Sequence, residues 1–130
     1  METDDERLQR YQREGFPKEA MTDKYWVIRY DYFKRNSFTI EAMTDQYWFI
    51  RLVYFREKGF PKQAMTDEFY IIRLEYFCRH GFTIEALKDE DEEIREGYFK
   101  QNGYTKEALK DKDAWIRQDA EKHLEVKDGN

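Results

Sequence analysis

The feature that most constrains this chain is a unit of 22 residues that recurs in fixed register. DKYWVIRYDYFKRNSFTIEAMT (23–44), DQYWFIRLVYFREKGFPKQAMT (45–66), DEFYIIRLEYFCRHGFTIEALK (67–88) and DEDEEIREGYFKQNGYTKEALK (89–110) align without a gap. A degenerate copy fills 1–22 and a truncated one starts at Asp111. Self-similarity at such a period is the signature of stacked repeats, in which each unit buries its apolar face only against its neighbours.

Stacking the copies separates framework from variation. Asp opens five of them, at Asp23, Asp45, Asp67, Asp89 and Asp111. Further columns hold Ile (Ile28, Ile50, Ile72, Ile94, Ile116) and Arg (Arg29, Arg51, Arg73, Arg95, Arg117, with Arg7 in the first copy). An aromatic column follows (Tyr11, Phe33, Phe55, Phe77, Phe99), then Gly (Gly15, Gly59, Gly81, Gly103, with Ser37 the exception). A second aromatic column and an Ala column close the unit.

Each copy reads as two helices. The opening Asp suits an N-cap, and about 13 helix-compatible residues follow it up to the Gly, which can take the left-handed C′ conformation. Pro17, Thr39, Pro61, Thr83 or Thr105 then opens a helix of one to two turns, too short to persist without stacking. Pro and Thr alternate over the first four copies, and Lys18, Ile40, Lys62 and Ile84 alternate beside them, a 44-residue superperiod. The fold expected is all-α, an α-solenoid of about six helix–turn–short-helix repeats forming one domain. Residues 1–22 serve as the N-terminal capping repeat. The copies 23–44, 45–66, 67–88 and 89–110 are full, and 111–130 is a C-terminal cap whose last few residues are expected to be disordered.

At about 100° per residue the Ile, Tyr (Tyr32, Tyr54, Tyr76, Tyr98) and Phe columns share the face that packs on neighbouring repeats. The Arg column projects into the same arc, and a buried charge needs a partner. The Asp of an adjacent copy is the candidate, which predicts an Asp–Arg ladder rather than a row of phosphate-binding arginines.

The segments LKDEDEEIREGY (Leu87–Tyr98) and LKDKDAWIRQDA (Leu109–Ala120) carry L-x-D-x-D-x-x-I-R. This resembles the Asp…Val/Ile-Arg signature of HEAT-like repeats and of the variant leucine-rich repeat. The resemblance implies an α-solenoid in which Asp and Arg pair between neighbouring repeats. It gives that role to Asp23, Asp45, Asp67, Asp89 and Asp111 and to Arg29, Arg51, Arg73, Arg95 and Arg117. The unit departs from HEAT repeats in length, theirs being nearer 40 residues. Relatives of this kind include scaffolds and a few proteins that act on DNA.

Composition narrows the function classes. Charged residues are 39% and the net charge is −5, against a general nucleic-acid binder. The single Cys78 excludes an internal disulfide and fits a reducing compartment, and no apolar run nears the roughly 18 residues of a membrane span. METDDERLQR is acidic and does not read as a signal peptide, so a cytoplasmic location is expected. Cys78 and His80 lie two apart at a helix end and face different ways, while His123 stands apart from both. No phosphate loop, zinc spacing or EF-hand loop is present, so neither enzyme activity nor a cofactor or metal is expected.

Two departures from the repeat point to partners. Tyr25, Trp26 and Tyr30 in the second copy, Tyr47, Trp48, Phe49 and Leu52 in the third, and Phe69, Tyr70 and Leu74 in the fourth add an apolar stripe. The fifth copy holds Asp91, Glu92, Glu93 and Glu96 at those columns, so the repeat itself does not require aromatics there. The stripe is either packing against the short helices or a surface for another protein, including a second copy of this chain. The acidic run Asp89, Glu90, Asp91, Glu92 and Glu93 reads as a solvated helix start favoured by the dipole. The expected function is therefore a non-enzymatic protein-binding repeat module. One rival is an acidic inhibitor or nucleic-acid-mimicking decoy, such as a phage or mobile-element accessory protein. A second is a HEAT-like DNA-repair-type enzyme, which would need a basic concave face.

Overall fold

A computed structural model describes residues 1–124, and every described element is helical. The chain is all-α, built from repeated helix–turn–short-helix elements in the manner of an α-solenoid. It divides into two compact units, Met1–Pro61 and Lys62–Asn130.

The first unit contains α1 (Asp4–Glu14), a 3-10 helix (Lys18–Thr22), α2 (Trp26–Asn36), α3 (Ile40–Met43) and α4 (Trp48–Glu57). The second contains a 3-10 helix (Lys62–Thr66), α5 (Tyr70–His80), α6 (Ile84–Leu87), α7 (Glu92–Asn102), a 3-10 helix (Lys106–Lys110) and α8 (Ala114–His123). Helix α1 starts with a capping box, between Thr3 and Glu6. The expectation of disorder at the chain end concerns residues 125–130, which lie outside those described.

The core of each unit is the seam between successive copies. In the first unit, Tyr11 of one helix, Ala20 of the following short segment and Ile28 of the next copy pack together with Phe16. In the second, Phe77, Ala86 and Ile94 repeat the pattern, and Phe99, Ala108 and Ile116 repeat it again. The Ala side chains have no solvent exposure, so these positions hold a methyl group and nothing larger. Burying one Phe and one Ile contributes about 3–6 kcal/mol per seam before entropy. That outweighs the poor intrinsic stability of a four-residue helix and explains why short segments hold their shape.

The opening Asp does not cap the long helix as the sequence led us to expect. Helices α2, α4 and α5 begin three residues later, with Tyr25, Tyr47 and Phe69 at the N-cap position and no side-chain cap. Instead the Asp accepts the amide two residues on, Asp23 from Tyr25 and Asp45 from Tyr47 at 2.8 Å, and so holds a turn that leads into the helix. True carboxylate caps exist on α7 and α8, where Asp91 accepts from Glu93 and Ile94 and Asp113 accepts from Trp115.

The 44-residue superperiod lies in the backbone of the turns. In the Pro copies, Gly15 and Gly59 take φ of 79° and 75°, and the following Phe16 and Phe60 also have positive φ. Phe16 and Phe60 then donate back to Tyr11 and Phe55, the wide bond of a Schellman turn. In the Thr copies the turn residue is extended with positive φ, at φ 85°, ψ 145° for Ser37, 98° and 149° for Gly81, and 97° and 147° for Gly103. There the amide of Phe82 is met by the side chain of Gln101 from the next copy, at 2.7 Å. Ile after the Thr goes with an α-helical short segment and Lys with a 3-10 one, and the fifth copy combines the Thr turn with the Lys helix.

Candidate protein-binding surface

The Arg column is spent on structure. Arg29 meets Asp45 through two parallel bonds of 2.9 and 3.1 Å, and donates a third, 2.8 Å, to the carbonyl of Asp23. Arg73 grips Asp89 at 2.9 and 3.1 Å and the carbonyls of Asp67 and Glu68. Arg95 does the same with Asp111, at 3.0 and 3.1 Å. In the first copy Arg7 pairs with Asp23 and also with Asp4. Apart from Arg7 with Asp4, each of these pairs joins an Arg to the Asp sixteen residues on, in the next copy. The guanidinium groups of Arg29, Arg73 and Arg95 are buried, and all three nitrogens of each already donate within the chain, which leaves little to offer a phosphate. Arg51 is buried as well and donates to the carbonyl of Asp45 at 2.8 Å.

Arg117 is the last Arg of the column. It donates to the carbonyl of Asp111 at 2.6 Å, and no carboxylate lies within salt-bridge range of it among the described residues. Burial works against the charged form of Asp23 and Asp111, but the bonds from Arg7 and Arg95 and from a backbone amide prevail, holding both carboxyls below their usual range. Bonding to Asp89 and Asp111 raises the pKa of Arg73 and Arg95.

In the first unit the apolar stripe forms an aromatic terrace. Trp26 stacks on Tyr47 at 4.5 Å and meets Phe49 edge-on at 6.3 Å. Tyr30 lies 5.5 Å from Phe49 and 5.8 Å from Phe38, and Trp48 flanks both Tyr47 and Phe49. The rings of one copy thus pack on those of the next, and all five stripe aromatics plus Tyr25 are half-buried. Leu52 is the correction: at 3% exposure it belongs to the core and not to a contact surface. In the second unit Phe69 and Tyr70 meet edge-on at 5.5 Å, and Leu74 packs on the Phe77 cluster, each half-buried.

The acidic run divides by role. Asp89 is a ladder carboxylate and Asp91 caps α7, whereas Glu90 is 84% exposed and Glu92 and Glu93 point outward from the first turn. Cys78 is exposed at the end of α5. Partial burial, with Glu75 and Glu93 nearby, raises its thiol pKa and disfavours the nucleophilic thiolate. His80 leans on the Tyr76 ring at 4.8 Å, and His123 stacks on Tyr104 at 4.3 Å with its Nδ1 2.8 Å from the Asp119 carbonyl oxygen. No group of three or more metal-ligating side chains is gathered among the described residues. None of the described helices is long and apolar enough to cross a membrane.

Two residues absent from the sequence reading emerge here. Gly97, in the middle of α7, leaves room for the ring of Phe82 from the preceding copy. Trp115, on α8, is 72% exposed, the most open aromatic among the described residues. The signal for Trp115 was available in the columns: it aligns with Phe49, but its neighbouring copy offers Glu92 and Glu96 where Phe49 meets Trp26 and Tyr30.

Comparison with protein families, characterised proteins and solved structures finds no match for this chain.

Proposed function

We propose that this chain is a non-enzymatic protein-binding repeat module of HEAT-like character, and that the aromatic terrace of the first unit is its contact surface. One observation carries the reading. Trp26, Tyr30, Tyr47, Trp48 and Phe49 hold one another in edge and stacked contacts while each keeps part of its surface open. Pre-ordered Trp and Tyr rings lose little entropy on binding and are the commonest anchors of protein interfaces. The repeat does not demand them, since the fifth copy keeps the same helix with Glu92, Glu93 and Glu96 in those columns. The acidic-decoy reading has less support, because Asp89 and Asp91 are committed to Arg73 and to the start of α7.

Trp48→Glu tests the proposal by light scattering across a concentration series, with urea unfolding alongside. A dimer that becomes a folded monomer assigns the terrace to self-association. A wild-type monomer would direct the search to a different protein, provided the variant keeps its stability to within about 1 kcal/mol, as a surface substitution should. A loss of several kcal/mol with no change in mass would make the terrace internal packing and overturn the reading.

A further inference from the structure

We infer that Trp115 and the carboxylates around it form a second contact site, one that takes a Lys- or Arg-rich segment of a partner protein. This surface lies in the second unit and is independent of the aromatic terrace.

Two seams share a turn and an Asp–Arg pair, although the short segment is α-helical in the second copy and 3-10 in the fifth. The second copy turns between its two helices at Ser37, with φ 85°, ψ 145°, and the fifth copy turns at Gly103, with 97° and 147°. The Asp–Arg pairs across the seams, Arg29 with Asp45 and Arg95 with Asp111, agree to within 0.1 Å in both bonds. At the first seam Phe49 is covered by Trp26 and Tyr30. At the second, the same columns are Trp115, Glu92 and Glu96. Carboxylates cannot cover an indole as aromatic rings do, and Trp115 stands 72% open.

An open indole with Glu92 and Glu96 in the columns that meet it in the preceding copy suits one kind of group. A guanidinium or ammonium can lie on the ring face while its charge is met by the acids beside it. Asp119, one turn along α8 from Trp115, extends the acidic border. Lys100 meets Glu96 at 3.3 Å, whereas Glu92 and Glu93 make no ion pair among the described residues and remain available. An anionic partner would face these carboxylates. An apolar partner would have to desolvate them.

The test uses a fluorescent nona-arginine peptide as probe, followed by anisotropy at low salt. Trp115→Ala should weaken binding about 2–5-fold, the strength of an exposed cation–π contact. The pair Glu92→Gln and Glu93→Gln should weaken it at least as much and flatten its salt dependence. The pair Glu19→Gln and Glu41→Gln removes equal charge from the first unit and should change affinity less than 2-fold. Equal losses in both charge-removed proteins, an unchanged affinity in Trp115→Ala, or no binding by the folded wild type would each overturn the inference. Trp115 is too exposed for its removal to unfold the chain, and circular dichroism of the variant confirms that the readout concerns binding.

Discussion

Substituting Asp89 with Asn isolates the contribution of one ladder rung. The new side chain keeps the shape of the old one, and its amide oxygen can still accept the Asp91 amide that Asp89 holds at 2.9 Å. What disappears is the charge opposite Arg73 and the 2.9 Å bond to Oδ2, while the 3.1 Å bond to Oδ1 is left with a neutral acceptor. Arg73 stays in place, buried, with only the carbonyls of Asp67 and Glu68 and the distant Glu90 carboxylate, 3.8 Å away, to offset its charge. Removing one partner of a buried pair costs about 3–5 kcal/mol. The remaining carbonyl bonds favour the lower end of that range, about 3 kcal/mol. At this chain length that corresponds to a drop in Tm of about 10 °C.

Urea unfolding followed by circular dichroism measures the effect, and a double-mutant cycle isolates it. Arg73→Met alone leaves Asp89 buried and uncompensated, so it should be as damaging as Asp89→Asn. The combined variant should recover much of the loss, because no buried charge remains. Glu90→Gln, four-fifths exposed, should stay within about 0.5 kcal/mol of wild type. An Asp89→Asn protein as stable as Glu90→Gln would refute the reasoning, since the ladder would then be a consequence of stacking and not a support of it.

Three further outcomes follow from the same geometry. Gly97→Ala would normally strengthen a helix by about 1 kcal/mol, but here the new carbon would meet three ring carbons of Phe82, Cε2 nearest and then Cζ and Cδ2 at 2.6 and 2.8 Å, so the urea midpoint should fall; a raised midpoint would show that the ring is free to move. Ser37→Gly should raise stability by about 1 kcal/mol in the same assay, because φ 85°, ψ 145° is a glycine conformation that costs another residue more than glycine loses in unfolded-chain entropy. Asp23 and Asp111 have folded pKa values held below their unfolded ones, so their contribution is whole above the unfolded pKa and lost as pH falls through the folded one: Tm should hold from pH 7 to about pH 5 and decline below about pH 4, less steeply in Asp111→Asn.

The features that recur in every copy were the ones legible in the sequence. The Phe, Ala and Ile columns mark the seams, and the pairing of Arg with a later Asp follows from their shared recurrence and from the cost of a lone buried charge. The start of the long helix was not legible. An Asp that accepts an amide two residues on looks the same in sequence as one that caps a first turn, and only the backbone between Asp23 and Trp26 separates them. Gly97 was opaque for a different reason. Its meaning lies in the Phe82 ring fifteen residues earlier, and nothing in its own column points there. The stripe was visible as an excess of aromatics, but its half-burial depends on contacts such as that of Trp26 with Tyr47.

Those contacts suggest how such an array should be read. A position in one copy does not fix its own exposure; the columns it faces in the preceding copy do. Phe49 and Trp115 occupy the same column, at seams with the same turn and the same Asp–Arg pair, yet one is half-buried against Trp26 and Tyr30 and the other is open where the corresponding columns hold Glu92 and Glu96. The framework columns hold the seam constant because the Asp–Arg pair and the buried Phe, Ala and Ile are present both where the stripe is aromatic and in the fifth copy, where it is acidic. The stripe columns are therefore free to vary in pairs across a seam, aromatic against aromatic in the first unit and carboxylate against Trp in the second. Surface chemistry in this chain is thus set seam by seam, on a scaffold whose stability is accounted for elsewhere.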